Sequence, residues 1–411
     1  MAAGGLVEQT RRLKEKAERE LPHAMLTVEN ARILAARLAR LRGAAMKVGQ
    51  MLSLEGDNML PAEFAKALEV LRSSAHVMPE AQVREVLAAE YGRAWQERFA
   101  ELDLVPMASA SIGQVHRATA LDGRQLAIKL QYPGVAESID SDVDNLRSLL
   151  TLARLVPGDL ELDGLVAEVK AELHKEVDYA RELEQLLAYR AALGEQVGVR
   201  LPTPYPDLST QRCLALELLP GVQLLSWAKD ASQVDRDRVA SLLFDLLARE
   251  LFELGIMQTD PNPANYHYDA ARGDLILLDF GATRDVSPEV RDLYGRTLRA
   301  MAERNAVELR RVLRDLGVQQ DGEGERAAEV LVSMGLEAAE VFDGPYDFAT
   351  TDLAERLKLH GKVLTEHRRT LRPPPPAYLF FQRKLGGTFL LCRQLRARAN
   401  PRASLERVGL L

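Results

Sequence analysis

Cysteine is scarce: the 411 residues include two, Cys213 and Cys392, each flanked by apolar neighbours. Two thiols cannot form a disulfide framework or a four-cysteine zinc site, and both suit buried, small apolar positions. Long apolar runs are missing as well. No uncharged stretch approaches the ~18 residues that a membrane-spanning helix requires, and no signal-peptide pattern opens the chain. A reducing, cytoplasmic setting is therefore expected. Histidine spacing gives no metal site either: His23, His76, His116, His174, His267, His360 and His367 form no H-E-x-x-H or similar pattern, so structural roles are expected for them. The chain also lacks the excess of positive charge that nucleic-acid binding demands, since its formal net charge is −7.

What is present fits an ordinary folded protein. Hydrophobic residues make up 47% and charged residues 27%, with 27 Gly and 19 Pro, which excludes collagen-like and disordered classes. At roughly 100–200 residues per domain, the length allows two or three domains. Charge is unevenly spread. Residues 1–47 carry ten Lys/Arg against five Asp/Glu, a local +5, which leaves −12 on the remaining 364 residues. The basic segment suits a peripheral, salt-sensitive contact with an anionic membrane: ~1 kcal/mol per basic residue gives at most roughly 5 kcal/mol before ordering costs.

Three textures follow one another along the chain. Residues 6–100 read as helical, with apolar residues at three- and four-residue spacing in NARILAARLARLRGAAMKVGQML and breaks at Pro61 and Pro79, and with no strand candidate. From Leu104 the texture changes: QVHRATAL, then Asp122-Gly123, then RQLAIKLQY predict two strands joined by a tight primed turn. Residues 136–195 return to helical periodicity, and QRCLALELL (Gln211 to Leu219) predicts a further buried strand. An apolar helix over 234–257 then runs into QTDPNPANY, two short strands (Tyr266-His267-Tyr268 and LILLDF) and a helical remainder from Pro288 onward. The run Pro373 to Pro376 predicts a stiff connector.

Chemistry concentrates in QTDPNPANY and LILLDFGA. Asp260 and Asn265 are five apart, and Asp279-Phe280-Gly281 begins 14 residues after Asn265. Mg²⁺ bridging the phosphates of ATP needs a few hard oxygen ligands, which an Asn amide and an Asp carboxylate on neighbouring loops can supply. A second Asp, Asp260, can then accept a proton or orient the attacking group. Asp, Pro and Asn are also ordinary turn formers, but two such pieces in this order around a strand pair favour the functional reading.

Lys129 is the second piece. An ammonium projecting inward from the apolar strand LAIKLQ needs an anion, since leaving it buried and unpaired costs ~3–5 kcal/mol. Protein kinases set such a Lys in a Val-Ala-Ile-Lys strand, where it holds phosphates and pairs with a helix Glu. Ala127-Ile128-Lys129 has that form, and Glu176, Glu182 and Glu184 on the following helix are the candidate partners. The kinase pattern then breaks down in places. The Ala/Ser-rich run Ala108, Ser109, Ala110, Ser111 stands where G-x-G-x-x-G would be, Gln258-Thr259 replaces His-Arg, and no long activation segment follows Gly281. Alanines restrict the backbone that glycines leave free to close over phosphates.

These residues resemble the UbiB/ADCK (aarF-domain) family of atypical kinase-like proteins associated with ubiquinone biosynthesis, over roughly residues 40–395. The resemblance rests on KVGQ (Lys47 to Gln50), ASASIGQVH (Ala108 to His116), Lys129, EVDYARE (Glu176 to Glu182), DPNPAN (Asp260 to Asn265), DFG and the tail RKLGGTFLLCRQL. Its QTDPN form looks closer to the mitochondrial-type branch than to the HADPHPGN form frequent in bacterial members. The resemblance implies Lys129 and Glu182 as the strand–helix ion pair, Asp260 as the catalytic-loop Asp, and Asn265 and Asp279 as metal ligands. It places Ala108, Ser109, Ala110, Ser111, Lys129 and Glu217 in the nucleotide-binding set. It also implies that Lys47 and Gln50 fold over the substrate face and touch Glu176 and Asp178 as a regulatory contact.

The expected architecture is α+β: a two-lobed protein-kinase-like fold with an N-terminal helical extension (1–100), a small lobe (101–220) and a large helical lobe (221–411). The expected function is a Mg²⁺- and ATP-dependent ATPase or atypical kinase supporting isoprenoid quinone or related lipid metabolism. Its expected partners are an isoprenoid lipid or quinone precursor and lipid-biosynthetic enzymes. A nucleotide-gated scaffold with little turnover and a conventional protein or small-molecule kinase are the alternatives.

Overall fold

The computed structural model describes residues 77–110, 112–152, 162–319, 324–367, 371–372 and 374–411. Lys47, Gln50 and Ser111, and the basic segment 1–47, lie outside the described residues. The chain divides into two compact units. The first runs to Leu183 and includes Pro204–Leu218; the second holds Glu184–Thr203 and Leu219–Leu411.

The first unit is a small antiparallel sheet with helices. Helix α1 (Glu80–Tyr91) is followed by strands β1 (Phe99–Leu102), β2 (Ala108–Ser109), β3 (Gly113–Ala120) and β4 (Gln125–Gln131), with β5 (Cys213–Glu217) beside β4. Sheet order is β1-β3-β4-β5, and β2 folds back on β3. Period-two alternation sets the faces of β4: Leu126, Ile128 and Leu130 are fully buried, while Ala127 and Lys129 point to the other side. The buried face packs with Val83, Leu87 and Tyr91, spaced four apart on α1, in one apolar core. Burial of each such Leu or Ile contributes about 1.5–3 kcal/mol.

Two local expectations are corrected here. Strand β1 begins at Phe99, within the stretch read as helical: Phe99 is buried in the same core, and pairing with β3 overrides local periodicity. The β3–β4 turn is also not a two-residue primed turn. Ala120 N–H donates to Arg124 O, and Gly123 alone takes positive φ (+87°), so the loop spans three residues. Asp122 instead accepts from Arg124 N–H through Oδ1, which satisfies it without left-handed backbone.

Helices α2 (Val135–Leu152) and α3 (Leu162–Glu176) follow β4, and α4 (Tyr179–Leu193) has its residues up to Leu183 in this unit.

In the second unit, β6 (Val222–Gln223) precedes helix α5 (Gln233–Arg249), whose N-cap Ser232 accepts from Asp235 N–H. The helix ends in a π-helical turn, Glu250–Leu254, and Gly255 at φ +70° redirects the chain into β7 (Ile256–Gln258). Strands β8 (Tyr266–Asp269) and β9 (Asp274–Leu277) form a sheet with β6 and a two-residue strand at Val199–Arg200, and β10 (Thr283–Asp285) pairs with β7. The chain enters helix α6 (Pro288–Ala302) after Ser287 caps it, so six residues separate Gly281 from helix. Helices α7 (Ala306–Asp315), α8 (Glu325–Ala338) and α9 (Leu353–His367) lead to the proline run, which ends by starting α10 (Pro376–Gln394) with Pro at its first position. A two-stranded pair (Tyr346–Asp347 with Arg398–Ala399) and α11 (Pro401–Arg407) complete the unit.

Candidate active site

In the first unit the strand–helix ion pair forms. Lys129 Nζ donates to Glu182 Oε2 at 2.8 Å and Oε1 at 3.1 Å, with the two side chains 14% and 4% exposed. Of the three carboxylates open on the residues alone, Glu182 is the one bonded to Lys129. The reason is local. Asp178 caps α4 by accepting from Arg181 N–H at 3.1 Å, so the helix starts there and projects Glu182 one turn later. Gln131 Nε2 donates to Val177 O at 2.7 Å, which ties the end of β4 to the residue before that cap. Tyr179 places its ring centroid 4.8 Å from Lys129 Nζ, a second anchor for the ammonium.

Ala108, Ser109 and Ala110 fold back on β3. Ala108 and Ser109 pair with Val115 and Gln114, and Ala110 N–H donates to Gly113 O at 2.9 Å. Gly113 has a packing role: a Cβ there would lie 2.2 Å from Leu130 O, so a side chain would part β3 from β4. His116 takes a structural role, as expected. Its Nδ1–H donates to Asp103 O and its Nε2 accepts from Gln114 Nε2, while Gln114 Oε1 accepts from Met78 N–H. Burial holds the imidazole below its usual value, hence neutral. Glu217 ends β5 opposite Leu126, half-buried.

In the second unit three segments meet. Asp260, nearly buried, follows β7; Asn265 closes a short 3₁₀ turn (Pro263–Asn265) that Asn262 caps through Ala264 N–H. Asn265 Nδ2 donates to Asp260 Oδ2 at 3.0 Å. Leu278 N–H donates to Asn265 O at 3.1 Å, and Thr259 N–H and Oγ1–H both donate to Ala282 O, so the DFG segment is bound to the Asp260 loop at two points. Asp279 Oδ1 accepts from Gly281 N–H, and Phe280 is buried with its ring 5.1 Å from that of Tyr189.

Asn265 and Asp279 thus deliver an amide carbonyl and a carboxylate from two joined segments. No group of three or more His, Cys, Asp or Glu suited to a metal occurs among the described residues. A donor set of two oxygens fits Mg²⁺, which keeps waters and takes further ligands from phosphates.

The third segment is α10. Arg383 Nη2 donates to Asp260 Oδ1 at 3.2 Å. Lys384, fully buried, donates from Nζ to Gln258 Oε1 at 2.9 Å and Tyr266 Oη at 2.8 Å, and lies 3.9 Å from Glu250 Oε2. Gln258 Nε2 donates onward to Asp260 O, and Glu250 Oε1 accepts from Tyr189 Oη–H and Gln258 N–H. Burial pulls the Lys384 ammonium toward neutrality, but Glu250, Tyr266 and Asp260 outweigh it and raise its pKa. Burial raises Glu250, opposed by Lys384 and the Tyr189 and Gln258 donors. Gly387 completes the contact: a Cβ there would stand 2.1 Å from Pro261 Cβ.

A small sheet carrying a Lys–Glu pair, and a Asp–Asn loop bound to a DFG segment, are the parts of a kinase-like protein. Residues 70–313 match the ABC1 atypical kinase-like domain. The chain belongs to the ABC1 atypical kinase-like family.

The ABC1 chain is 37% identical over 401 residues to the mitochondrial atypical kinase COQ8B of Rattus norvegicus, covering 97% of this chain and 75% of that protein. It is 32% identical over 405 residues to the mitochondrial atypical kinase COQ8 of Saccharomyces cerevisiae, covering 97% and 80%. A solved structure of Rv3197 from Mycobacterium tuberculosis, a complex with erythromycin, is similar with a TM-score of 0.64 at 27% identity, over 98% of this chain and 97% of that one. The fold is therefore kinase-like α+β. No helix among the described residues is long and apolar enough to cross a membrane.

Sequence reasoning missed Glu250, Gln258, Arg383, Lys384 and Gly387 as parts of the ABC1 site. The signal for the last three lay in RKLGG, adjacent cations on an apolar helix followed by two glycines. Glu250 stood out as a carboxylate inside the apolar run FDLLARELFELGIM.

Proposed function

We propose that this chain is a Mg²⁺- and ATP-dependent ATPase or atypical kinase that supports isoprenoid quinone (ubiquinone) or related lipid metabolism. The observation that carries the reading is the joined loop pair: Asn265 bonds Asp260 through its side chain and the DFG segment through its backbone. Lys129, held by Glu182, binds phosphate oxygens. Ala108, Ser109, Ala110 and Glu217 contribute to the nucleotide-binding set, and Asn265 and Asp279 hold Mg²⁺. The metal, when bound, neutralises phosphate charge. Asp260 orients the attacking water or acceptor hydroxyl and receives its proton as the new P–O bond forms and ADP leaves. Glu176 and Asp178 carry the regulatory contact with the Lys47–Gln50 segment. The quinone assignment and a peripheral contact with anionic membrane follow from the family likeness and the basic N-terminal stretch.

The test is steady-state phosphate release from Mg-ATP by the full chain, with and without anionic liposomes carrying a phenolic quinone precursor, beside Asp279→Asn. Turnover that rises with lipid and vanishes in the variant supports the reading. Nucleotide binding with no turnover under any condition overturns it in favour of a nucleotide-gated scaffold for lipid-biosynthetic enzymes. One observation favours that second reading: both carboxylate oxygens of Asp260 are already engaged, by Arg383 and Asn265.

A further inference from the structure

The catalytic loop contains no cation. From Gln258 to Tyr266 the residues are QTDPNPANY, without Lys or Arg. Phosphoryl transfer spreads negative charge over the transferred group, and a neighbouring cation placed in advance lowers the barrier. Asp260, itself an anion, makes that need greater. Among the described residues of the second unit, Arg383 is hydrogen-bonded to it, with Nη2 donating to Asp260 Oδ1 at 3.2 Å.

Arg383 is held there by its helix. Phe380, Arg383, Lys384 and Gly387 recur at three- and four-residue spacing, hence on one face of α10. Each meets the catalytic strip: Phe380 lies under the Arg284 guanidinium at 3.6 Å, Lys384 bonds Gln258 and Tyr266, and Gly387 lies against Pro261. The fully buried Lys384 fixes the helix, which leaves Arg383 little freedom to leave Asp260. The guanidinium also keeps a donor in reserve. Its Nε is buried and has no hydrogen-bond partner among the described residues, an unmet need that an anionic oxygen would satisfy.

We infer that Arg383 is the positioning residue of Asp260 and brings to the catalytic loop, from α10, the cation that phosphoryl transfer requires. The inference rests on the nucleotide-binding reading above. Lys384 and Gly387 act on Arg383 by fixing α10, which replaces the missing activation segment as the support of the loop.

The experiment compares the full chain with Arg383→Gln and Arg383→Lys. Three quantities are read: kcat and KM for Mg-ATP, the Kd for Mg-ADP with and without aluminium fluoride as a mimic of the transferring phosphoryl group, and the melting temperature. The expected result for Arg383→Gln is a kcat lower by about 10- to 100-fold, loss of most of the affinity gained with aluminium fluoride, and Mg-ADP affinity and melting temperature close to wild type. Arg383→Lys recovers part of both losses, because it keeps the charge but not the fork geometry. A turnover unchanged or raised in Arg383→Gln, or a loss that tracks melting temperature and is not relieved by Lys, overturns the inference. The aluminium fluoride arm keeps the two readings apart. Where wild type binds Mg-ADP but turns over nothing, the ATPase reading fails, and this inference still stands or falls on the affinity gain. A wild type that binds no Mg-ADP overturns both.

Discussion

In each unit a Lys–Glu pair lies at the candidate site, and these two pairs are built differently. Lys129 donates directly to both oxygens of Glu182 from an inner strand of a small sheet, with its side chain 14% exposed. Lys384 sits 3.9 Å from Glu250, sealed from solvent, and spends its hydrogens on Gln258 and Tyr266 instead. A charge that must share itself with a ligand is held by one strong partner and left partly accessible. A charge that braces a loop is surrounded by fixed neutral acceptors. The difference supports the proposal that Lys129 handles nucleotide and Lys384 keeps the Asp260 loop in shape.

The sharpest way to break the comparison is Lys384→Met. It strands Glu250 in the core and removes donors from Gln258 and Tyr266, so a stability loss of about 3–5 kcal/mol is expected in denaturant unfolding. Adding Glu250→Gln should recover a substantial part, because it removes the stranded charge. A single-variant loss like that of a surface substitution, about 0.5 kcal/mol, would show that Lys384 braces nothing. Lys129→Met should differ in its effect on nucleotide. Its stability loss should be similar, about 3–5 kcal/mol, because Glu182, 4% exposed, is left as an unpaired buried charge. Mg-ADP affinity should fall about tenfold or more, equivalent to about 1.4 kcal/mol, in equilibrium titration. Lys384→Met at low denaturant should change affinity less than Lys129→Met, and a reversal of that order would dissolve the distinction.

The smallest effect sharpens the comparison from a neutral group. His116 in the first unit is buried, and burial outweighs the opposing Asp103 backbone hydrogen bond and carboxylate, so its folded pKa lies below the usual imidazole value of 6.5. The folded state therefore takes up its proton at lower pH than the unfolded chain. The stability tied to neutral His116 is complete above about pH 6.5 and is lost as pH falls from there through the folded pKa. Melting temperature followed from pH 7.5 to 5 should decline more steeply in wild type than in His116→Gln. Equal slopes would mean that other groups account for the acid sensitivity.

Much of this site could be read in the chain because its parts are local. The alternation in QLAIKLQ put Lys129 on the face opposite Leu126, Ile128 and Leu130, and the short spacing from Asp260 to Asn265 confined both to one loop. The three glutamates near Lys129 could not be ranked by spacing alone. The cap at Asp178 sets where α4 begins, and a shift of one residue would swing each carboxylate by about 100° around the helix. Arg383 and Lys384 were harder still. They lie more than 100 residues after their partners, and a cation on an amphipathic helix has the same pattern whether it faces water or a buried acceptor. The turn at Asp122-Gly123 shows the limit at short range: both three-residue and two-residue loops use Asp-Gly, and the pairing of Ala120 with Arg124 chose between them.

By itself, then, the sequence determined the family, the kinase-like α+β fold and the local chemistry of the strand lysine, the Asp–Asn loop and the DFG segment. These depend on neighbours a few residues away, and periodicity and turn chemistry act at that range. Tertiary structure alone decided which glutamate meets Lys129, why Gly113 and Gly387 admit no side chain, and which cation stands beside Asp260. Each of those outcomes depends on two distant backbones meeting at a fixed distance, and packing of the whole unit sets that distance.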